Sequence, residues 1–266
     1  MDLQLSGKRA LVTGSTSGIG EQIAKTLAAE GVHVIVHGRR KAEAERVVQE
    51  IKASGGSAAF TLGELGNDQE ATNVAKEATA AFGGIDILVN NAGGFPMKPW
   101  LQSTAKEWVD LYNDNVGSVV RLATQLVPAM VEQKWGRVIM LGSFFGAMPG
   151  FPVANYSTTK GANISQAVSL AKELGGTGVT ANSVSPGPIR TPGMEAGARD
   201  MAVAQGQEYD FAKFEKFYVE QTRLPAGRIG LPSDIANMVA FVSSPLANFI
   251  TGANLRVDGG MVPTIN

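Results

Sequence analysis

Tyr156 and Lys160 stand four residues apart in Asn155-Tyr156-Ser157-Thr158-Thr159-Lys160, a spacing that on a helix puts both side chains on one face. A free phenol, with a pKa near 10, is a poor proton-transfer partner at neutral pH. An ammonium about 4 Å away, at an effective dielectric of about 20, is worth roughly 4 kcal/mol, or about 3 pKa units before desolvation offsets part of it. The pair therefore reads as an activated phenol, a general acid or base. By itself Tyr-x3-Lys is more often decoration of an exposed helix, so it needs company. Ser143, in Met140-Leu141-Gly142-Ser143, ends an apolar run and can offer a hydroxyl to a substrate oxygen near Tyr156. Near the start of the chain, Thr13-Gly14-Ser15-Thr16-Ser17-Gly18-Ile19-Gly20 carries three glycines in eight residues. Such a turn bends sharply, approaches a pyrophosphate closely and presents helix N-terminal amides to it.

The rest of the inventory narrows the chemistry. With no cysteine among 266 residues, disulfides, thiolate nucleophiles and Cys-ligated metal centres are excluded. The two histidines, His33 and His37, lie in the β-branched run Val32-His33-Val34-Ile35-Val36-His37. Four apart on a strand spans about 13 Å, too far for one metal ion, so no metal site is expected. A Ser-His-Asp hydrolase would have to draw its base from this pair, and no Gly-x-Ser-x-Gly elbow is present. A formal charge of −1 argues against bulk attraction to nucleic acid or anionic membranes. The opening residues lack a signal-peptide apolar region, and no run reaches the roughly 18 apolar residues of a membrane helix. A soluble, cytoplasmic protein is expected.

These residues have to be positioned by something, and the hydrophobic pattern says what. Strand-like runs at residues 9–13, 32–37, 57–62, 85–90, 137–141, 178–184 and 254–257 alternate with helix-period segments at 18–30, 41–54, 68–82, 103–133, 155–174 and 232–243. Pro128 is expected to kink the long helix over 103–133. Alternation of this kind needs crossover connections, hence a parallel sheet covered on both faces, with ligands at the carboxyl ends of its strands. The fold class is α/β: a single-domain, Rossmann-type doubly wound sheet over 1–266. Residues 192–224 break the rhythm with Gly193, Gly197 and Gly206 followed by Tyr209, Phe211, Phe214, Phe217 and Tyr218. They read as a helical substrate lid; the blander alternative is a helical insertion packed on the core.

Taken in order, Thr13-Gly14-x3-Gly18-Ile19-Gly20, Asn90-Asn91-Ala92-Gly93, Asn115, Ser143, Tyr156-x3-Lys160 and Pro186-Gly187 with Thr191 resemble the short-chain dehydrogenase/reductase family over nearly the whole chain. The resemblance implies hydride transfer between a nicotinamide cofactor and a carbonyl or secondary alcohol, with Tyr156 as general acid or base and no metal. It implies that Asn115, rather than Asn113, holds a water that links Lys160 to solvent. It places Gly14 to Gly20 (Gly14, Ser15, Thr16, Ser17, Gly18, Ile19, Gly20) against the cofactor. Asn91, Ala92 and Gly93 would lie beside the ribose, Glu64 and Leu65 near adenine, and Pro186, Gly187, Ile189 and Thr191 near the nicotinamide. The spacing Tyr-x3-Lys, as against the Tyr-x6-Lys of divergent enoyl reductases, implies C=O rather than C=C reduction. Relatives of this kind are usually homotetramers, sometimes homodimers.

NAD-specific members of the family carry aspartate at the position of Gly38, and here Gly38-Arg39-Arg40 stands instead. Losing the carboxylate and gaining guanidinium groups favours the 2′-phosphate, so NADP(H) is expected over NAD(H), with Arg39 as first contact and Arg40 second. Phe95, Met97, Phe144, Phe145, Met148, Phe151 and Met194 are pocket candidates. Of these, Phe95, Phe145, Phe151 and Met194, with Ser143, make the expected substrate set, suited to hydrophobic ketones, 3-oxoacyl compounds or secondary alcohols. The competing readings are an NAD-dependent alcohol or sugar dehydrogenase and a non-catalytic dinucleotide-binding regulator.

Overall fold

The computed structural model of the chain describes residues 1–264. Its seven strands are β1 (Arg9–Val12), β2 (His33–Gly38), β3 (Ser57–Leu62), β4 (Ile87–Asn90), β5 (Gly136–Leu141), β6 (Val179–Pro186) and β7 (Asn254–Val257). The helices are α1 (Gly18–Ala29), α2 (Lys41–Ala53), α3 (Asp68–Phe82), α4 (Ala105–Tyr112), α5 (Ser118–Glu132), α6 (Phe144–Ala147), α7 (Ala154–Glu173), α8 (Pro192–Ala204), α9 (Phe211–Thr222) and α10 (Pro232–Ser243). All strand pairs are parallel, in the order β3-β2-β1-β4-β5-β6-β7. This is the expected doubly wound α/β sheet.

The β-branched strands are apolar on both faces because both faces are buried. In β2, Val34 and Val36 join a core with Ile23, Leu27, Val47, Ile235 and Val239 beneath α1, α2 and α10. Ile35, between them, points to the opposite core, with Leu11, Val74, Leu88, Leu122 and Met130 beneath α3 and α5. The period of two thus divides one strand between two cores.

The strand order reverses beside β1, whose neighbours are β2 and β4. Chain leaving β1 runs toward one side of the sheet and chain leaving β4 toward the other, which opens a crevice at their carboxyl ends. Thr13 and Asn91 staple the floor of that crevice. The Thr13 Oγ1 accepts the amide protons of Asn91 and Ala92, each at 2.9 Å. The Asn91 Nδ2 donates to the carbonyls of Thr13 at 2.8 Å and Gly14 at 3.0 Å.

One expectation needs correction. The segment 103–133, expected as one long helix, is helical without a break over 105–132, with Pro128 inside it, but a π-helical turn at Asn113–Gly117 divides it into α4 and α5. A π turn inserts one residue into a helix, and five residues are too few for its own period to be read from the sequence. Between β6 and α10, residues 192–224 form two helices, α8 and α9. No helix among the described residues is long and apolar enough to cross a membrane.

Candidate active site

The glycine turn is built by close approach. Gly14 and Gly18 adopt positive φ angles of 62° and 58°, where a side chain is strained. A Cβ on Gly20 would fall 2.4 Å from both the Asn91 Nδ2 and the Gly14 oxygen. Ser17 begins α1 in extended conformation, and no side chain caps that helix. Its first amide protons therefore face outward without a partner, a ready anion site.

A cavity of about 370 Å³ opens beside the turn. Of the residues expected at a cofactor, Gly14, Thr16, Ser17, Gly38, Arg39, Arg40, Glu64, Leu65, Asn91, Ala92 and Gly93 line it. Ser15 does not: its buried hydroxyl donates to the Val12 carbonyl at 2.7 Å, beneath the turn. Gly18, Ile19 and Gly20 also lie outside that lining, at the start of α1. Pro186 ends β6, and Gly187, Ile189 and Thr191 follow it. Thr191 caps α8 by accepting from the Met194 amide, and its methyl lies 3.6 Å from where a Gly18 Cβ would be. The turn after β6 thus meets the glycine turn across the crevice.

The cavity's charge is mixed. The Arg39 Nη1 lies 3.3 Å from the Glu64 Oε2, and the Arg40 Nε 2.9 Å from the Glu43 Oε1. Asp114 also lines the cavity; burial first, then Glu64 and Asp110, raise its pKa. At Gly38 a Cβ would sit 2.4 Å from the Thr16 Cγ2. An aspartate there would collide with the turn as it stands. His37, Gly63, Gly66, Gly94 and Asp114 line the cavity as well and were not foreseen. His37 and Asp114 directly precede Gly38 and Asn115, and adjacency to those residues was the available signal.

Farther along the same sheet edge, β5 delivers Ser143 and α7 delivers Tyr156 and Lys160. Ser143 caps α6 by accepting the Phe145 amide at 3.2 Å. The Lys160 Nζ donates to the Leu141 carbonyl at 2.7 Å and sits over the Tyr156 ring, 5.6 Å from its centroid. Burial pushes the phenol up to about 12, opposed by a hydrogen bond with Ser143. Burial also pushes the Lys160 ammonium down to about 8. This corrects the expectation of an ammonium that lowers the phenol's pKa. The lysine's charge faces a backbone carbonyl, and desolvation dominates at the hydroxyl.

Asn115 sits in the π turn, fully buried. Its Oδ1 accepts the Gly94 amide at 2.7 Å, and its Nδ2 donates to the Gly94 carbonyl at 3.1 Å and the Thr159 Oγ1 at 3.0 Å. One side chain so joins the loop after β4 to the helix that bears Tyr156. Asn113, the rival, is committed to the Gly66 carbonyl and to Arg121.

Two of the four expected substrate aromatics and methionines reach the phenol. The Phe95 ring meets Tyr156 edge-on with centroids 4.6 Å apart, and Phe145 lies at 6.4 Å in the same geometry. Phe151 is 83% exposed in the loop before α7, and Met194 lies in the first turn of α8, half-buried. In α8 and α9, Arg190 ties the pair together: it bonds Glu195 and stacks 3.8 Å over the Phe211 ring. Glu215 accepts the Ile229 amide at 2.9 Å. His33 stacks on Phe82 at 5.2 Å, away from the cavity.

Comparison with known proteins gives the chain's family and fold relatives. Residues 8–202 match the family model described as short chain dehydrogenase. The chain is 39% identical over 272 residues to the uncharacterized oxidoreductase YvaG of Bacillus subtilis (strain 168), covering all of both chains. It is 37% identical over 259 residues to the 3-oxoacyl-acyl-carrier-protein reductase FabG of Vibrio cholerae serotype O1, covering 97% of this chain and 99% of that one. Among solved structures, the L-sorbose reductase of Gluconobacter frateurii, complexed with NADPH and L-sorbose, superposes with a TM-score of 0.95 at 30% identity over the full length of both chains.

Proposed function

The chain belongs to the short-chain dehydrogenase/reductase family, and on that premise we propose that it is an NADP(H)-dependent oxidoreductase interconverting a carbonyl compound and a secondary alcohol. The observation that carries this reading is the gathering of buried Ser143 and Lys160 and half-buried Tyr156 at one sheet edge with a glycine cradle alongside. The cradle fits a dinucleotide. Side chains at Gly14, Gly20 and Gly38 would fill the space a ligand needs or collide with the turn, and the first amides of α1 have no capping side chain.

When bound, the nicotinamide cofactor supplies or accepts a hydride at carbon. The chain does the rest. Tyr156 donates its phenolic proton to the carbonyl oxygen in reduction and takes it back in oxidation; its raised pKa keeps that proton in place at neutral pH. The Ser143 hydroxyl holds the same oxygen. Lys160 places a positive charge over the ring of the phenol, and Asn115 fixes Gly94 and Thr159 around it. Phe95 and Phe145 form an apolar wall suited to hydrophobic ketones or 3-oxoacyl compounds, and α8 and α9 act as the lid. Arg39 receives the 2′-phosphate, with Arg40 second. The same reading makes the protein a cytoplasmic homotetramer or homodimer.

The test is NADPH oxidation, followed by absorbance, across aliphatic, aryl and β-keto carbonyls, with NADH alongside. NADPH is expected to give the higher kcat/KM. Arg39→Ala is expected to raise the KM for NADPH about tenfold and leave that for NADH unchanged. A higher kcat/KM with NADH refutes the NADP assignment.

A further inference from the structure

His37, next to last in β2, is almost fully buried, at 3% exposure, and nothing in the chemistry above uses it. Its Nδ1 lies 3.2 Å from the Gly14 amide nitrogen, and its Nε2 3.1 Å from the Gly63 carbonyl oxygen. An amide N–H only donates and a carbonyl only accepts. Both contacts are therefore satisfied in one state alone, the neutral imidazole with its proton on Nε2. Burial pushes the ring down to about 4; the Gly63 carbonyl opposes this, and the charge of Arg39 adds to it. The backbone of the same residue clasps the turn a second time: its amide donates to the Ser15 Oγ at 3.0 Å, and its carbonyl accepts the Ser15 amide at 2.9 Å.

Gly14 and Gly63 both line the 370 Å³ cavity, one in the glycine turn and one just before Glu64 and Leu65. The ring is the side chain that spans them. We propose that His37 is a positioning residue for dinucleotide binding: its Nε2-protonated imidazole sets the separation between the turn that takes the diphosphate and the 63–65 wall that takes adenine. The proposal rests on the reading of this crevice as a dinucleotide site. It does not rest on NADP preference, because diphosphate and adenine are common to both nucleotides.

The full chain and its His37→Asn, His37→Gln and His37→Phe variants separate the contacts. Asparagine puts an amide oxygen near the place of Nδ1 and keeps the acceptor for Gly14; glutamine reaches toward Gly63 but offers nothing at Nδ1. Dissociation constants for NADP+ and NAD+ by calorimetry at pH 7 should weaken about three- to tenfold, equally for both nucleotides, in His37→Asn and His37→Gln, each of which keeps one of the two contacts. They should weaken by about tenfold or more, again equally, in His37→Phe, which keeps neither. In the wild type, long-range 15N–1H spectra, assigned by the signal lost in His37→Asn, should show the neutral Nε2-protonated tautomer. An Nδ1-protonated or cationic ring overturns the proposal. So does wild-type affinity in His37→Phe, or in either the Asn or the Gln variant. Should His37→Phe fail to fold, the Asn and Gln pair decides. A wild type that binds neither nucleotide refutes the dinucleotide reading itself, and this proposal with it.

Discussion

Lys160 shows a single side chain pulled in two directions. The spacing Tyr156-x3-Lys160 made the shared helix face legible in the sequence, but not the environment, because the burial that dominates both pKa values, and the hydrogen-bond partners Leu141 and Ser143, depend on another strand end. Burial lowers the lysine from 10.5 to about 8, which amounts to about 3 kcal/mol against folding at neutral pH. The folded value lies below the unfolded one, so this cost is complete below pH 8 and fades as pH rises toward 10.5. Lys160→Met removes the charge and leaves the Leu141 carbonyl without its partner, a partial offset. Denaturant unfolding at pH 7 should show Lys160→Met more stable than wild type by about 1–3 kcal/mol, with the alkaline gain in stability gone and turnover lost. Equal or lower stability contradicts the burial argument. His37 was visible as a residue type, but its partners lie 23 and 26 positions away in sequence, so no local pattern could assign it.

Among the elements, the strands and most helices follow directly from the alternation of periods, since the inner strands bury both faces and most helices only one. The π turn at Asn113–Gly117 escaped because it is too short to carry a period of its own while it turns Asn115 inward. That turn has a defined mechanical role, since Asn115 alone holds both the amide and the carbonyl of Gly94 and reaches Thr159 in α7. Asn115→Ala leaves the half-buried Gly94 amide proton without this partner. The expected loss is about 1–3 kcal/mol of stability, together with a drop in kcat larger than any rise in the KM for cofactor, because the disturbed helix carries Tyr156. A variant with wild-type melting temperature and kcat would mean that Gly94 and Thr159 do not depend on this side chain. The helical character of 192–224 was legible from its glycines and aromatics; the Arg190 bridge between α8 and α9 was not, since it depends on how the two helices pack.

On the scale of the whole molecule, catalytic geometry collects at the carboxyl edge of the sheet while the opposite edge is held by charge. There Asp86 accepts from the Arg9 backbone amide at 2.9 Å and from its guanidinium at 2.8 and 2.7 Å, joining β1 to the start of β4. Burial alone would raise the Asp86 pKa, but the Arg9 hydrogen bonds and charge outweigh it and hold the carboxyl below its ordinary value. A depressed carboxylate adds stability above the unfolded-state pKa and loses it as pH falls through the folded one. Asp86→Asn should therefore cost about 1–3 kcal/mol at pH 7 and flatten the acid limb of thermal stability below about pH 4. An unchanged acid limb would assign that limb to other carboxylates. The sheet's strand order and the reversal beside β1 then bring Tyr156, Ser143 and Lys160 to the same edge as the glycine turn, and the central claim rests on that convergence. Its most direct test is Tyr156→Phe, with NADPH oxidation by a turned-over carbonyl and the NADPH dissociation constant measured on one preparation. The account predicts that turnover falls by at least about a thousandfold, with binding within about threefold of wild type. Turnover near the wild-type rate would contradict it outright.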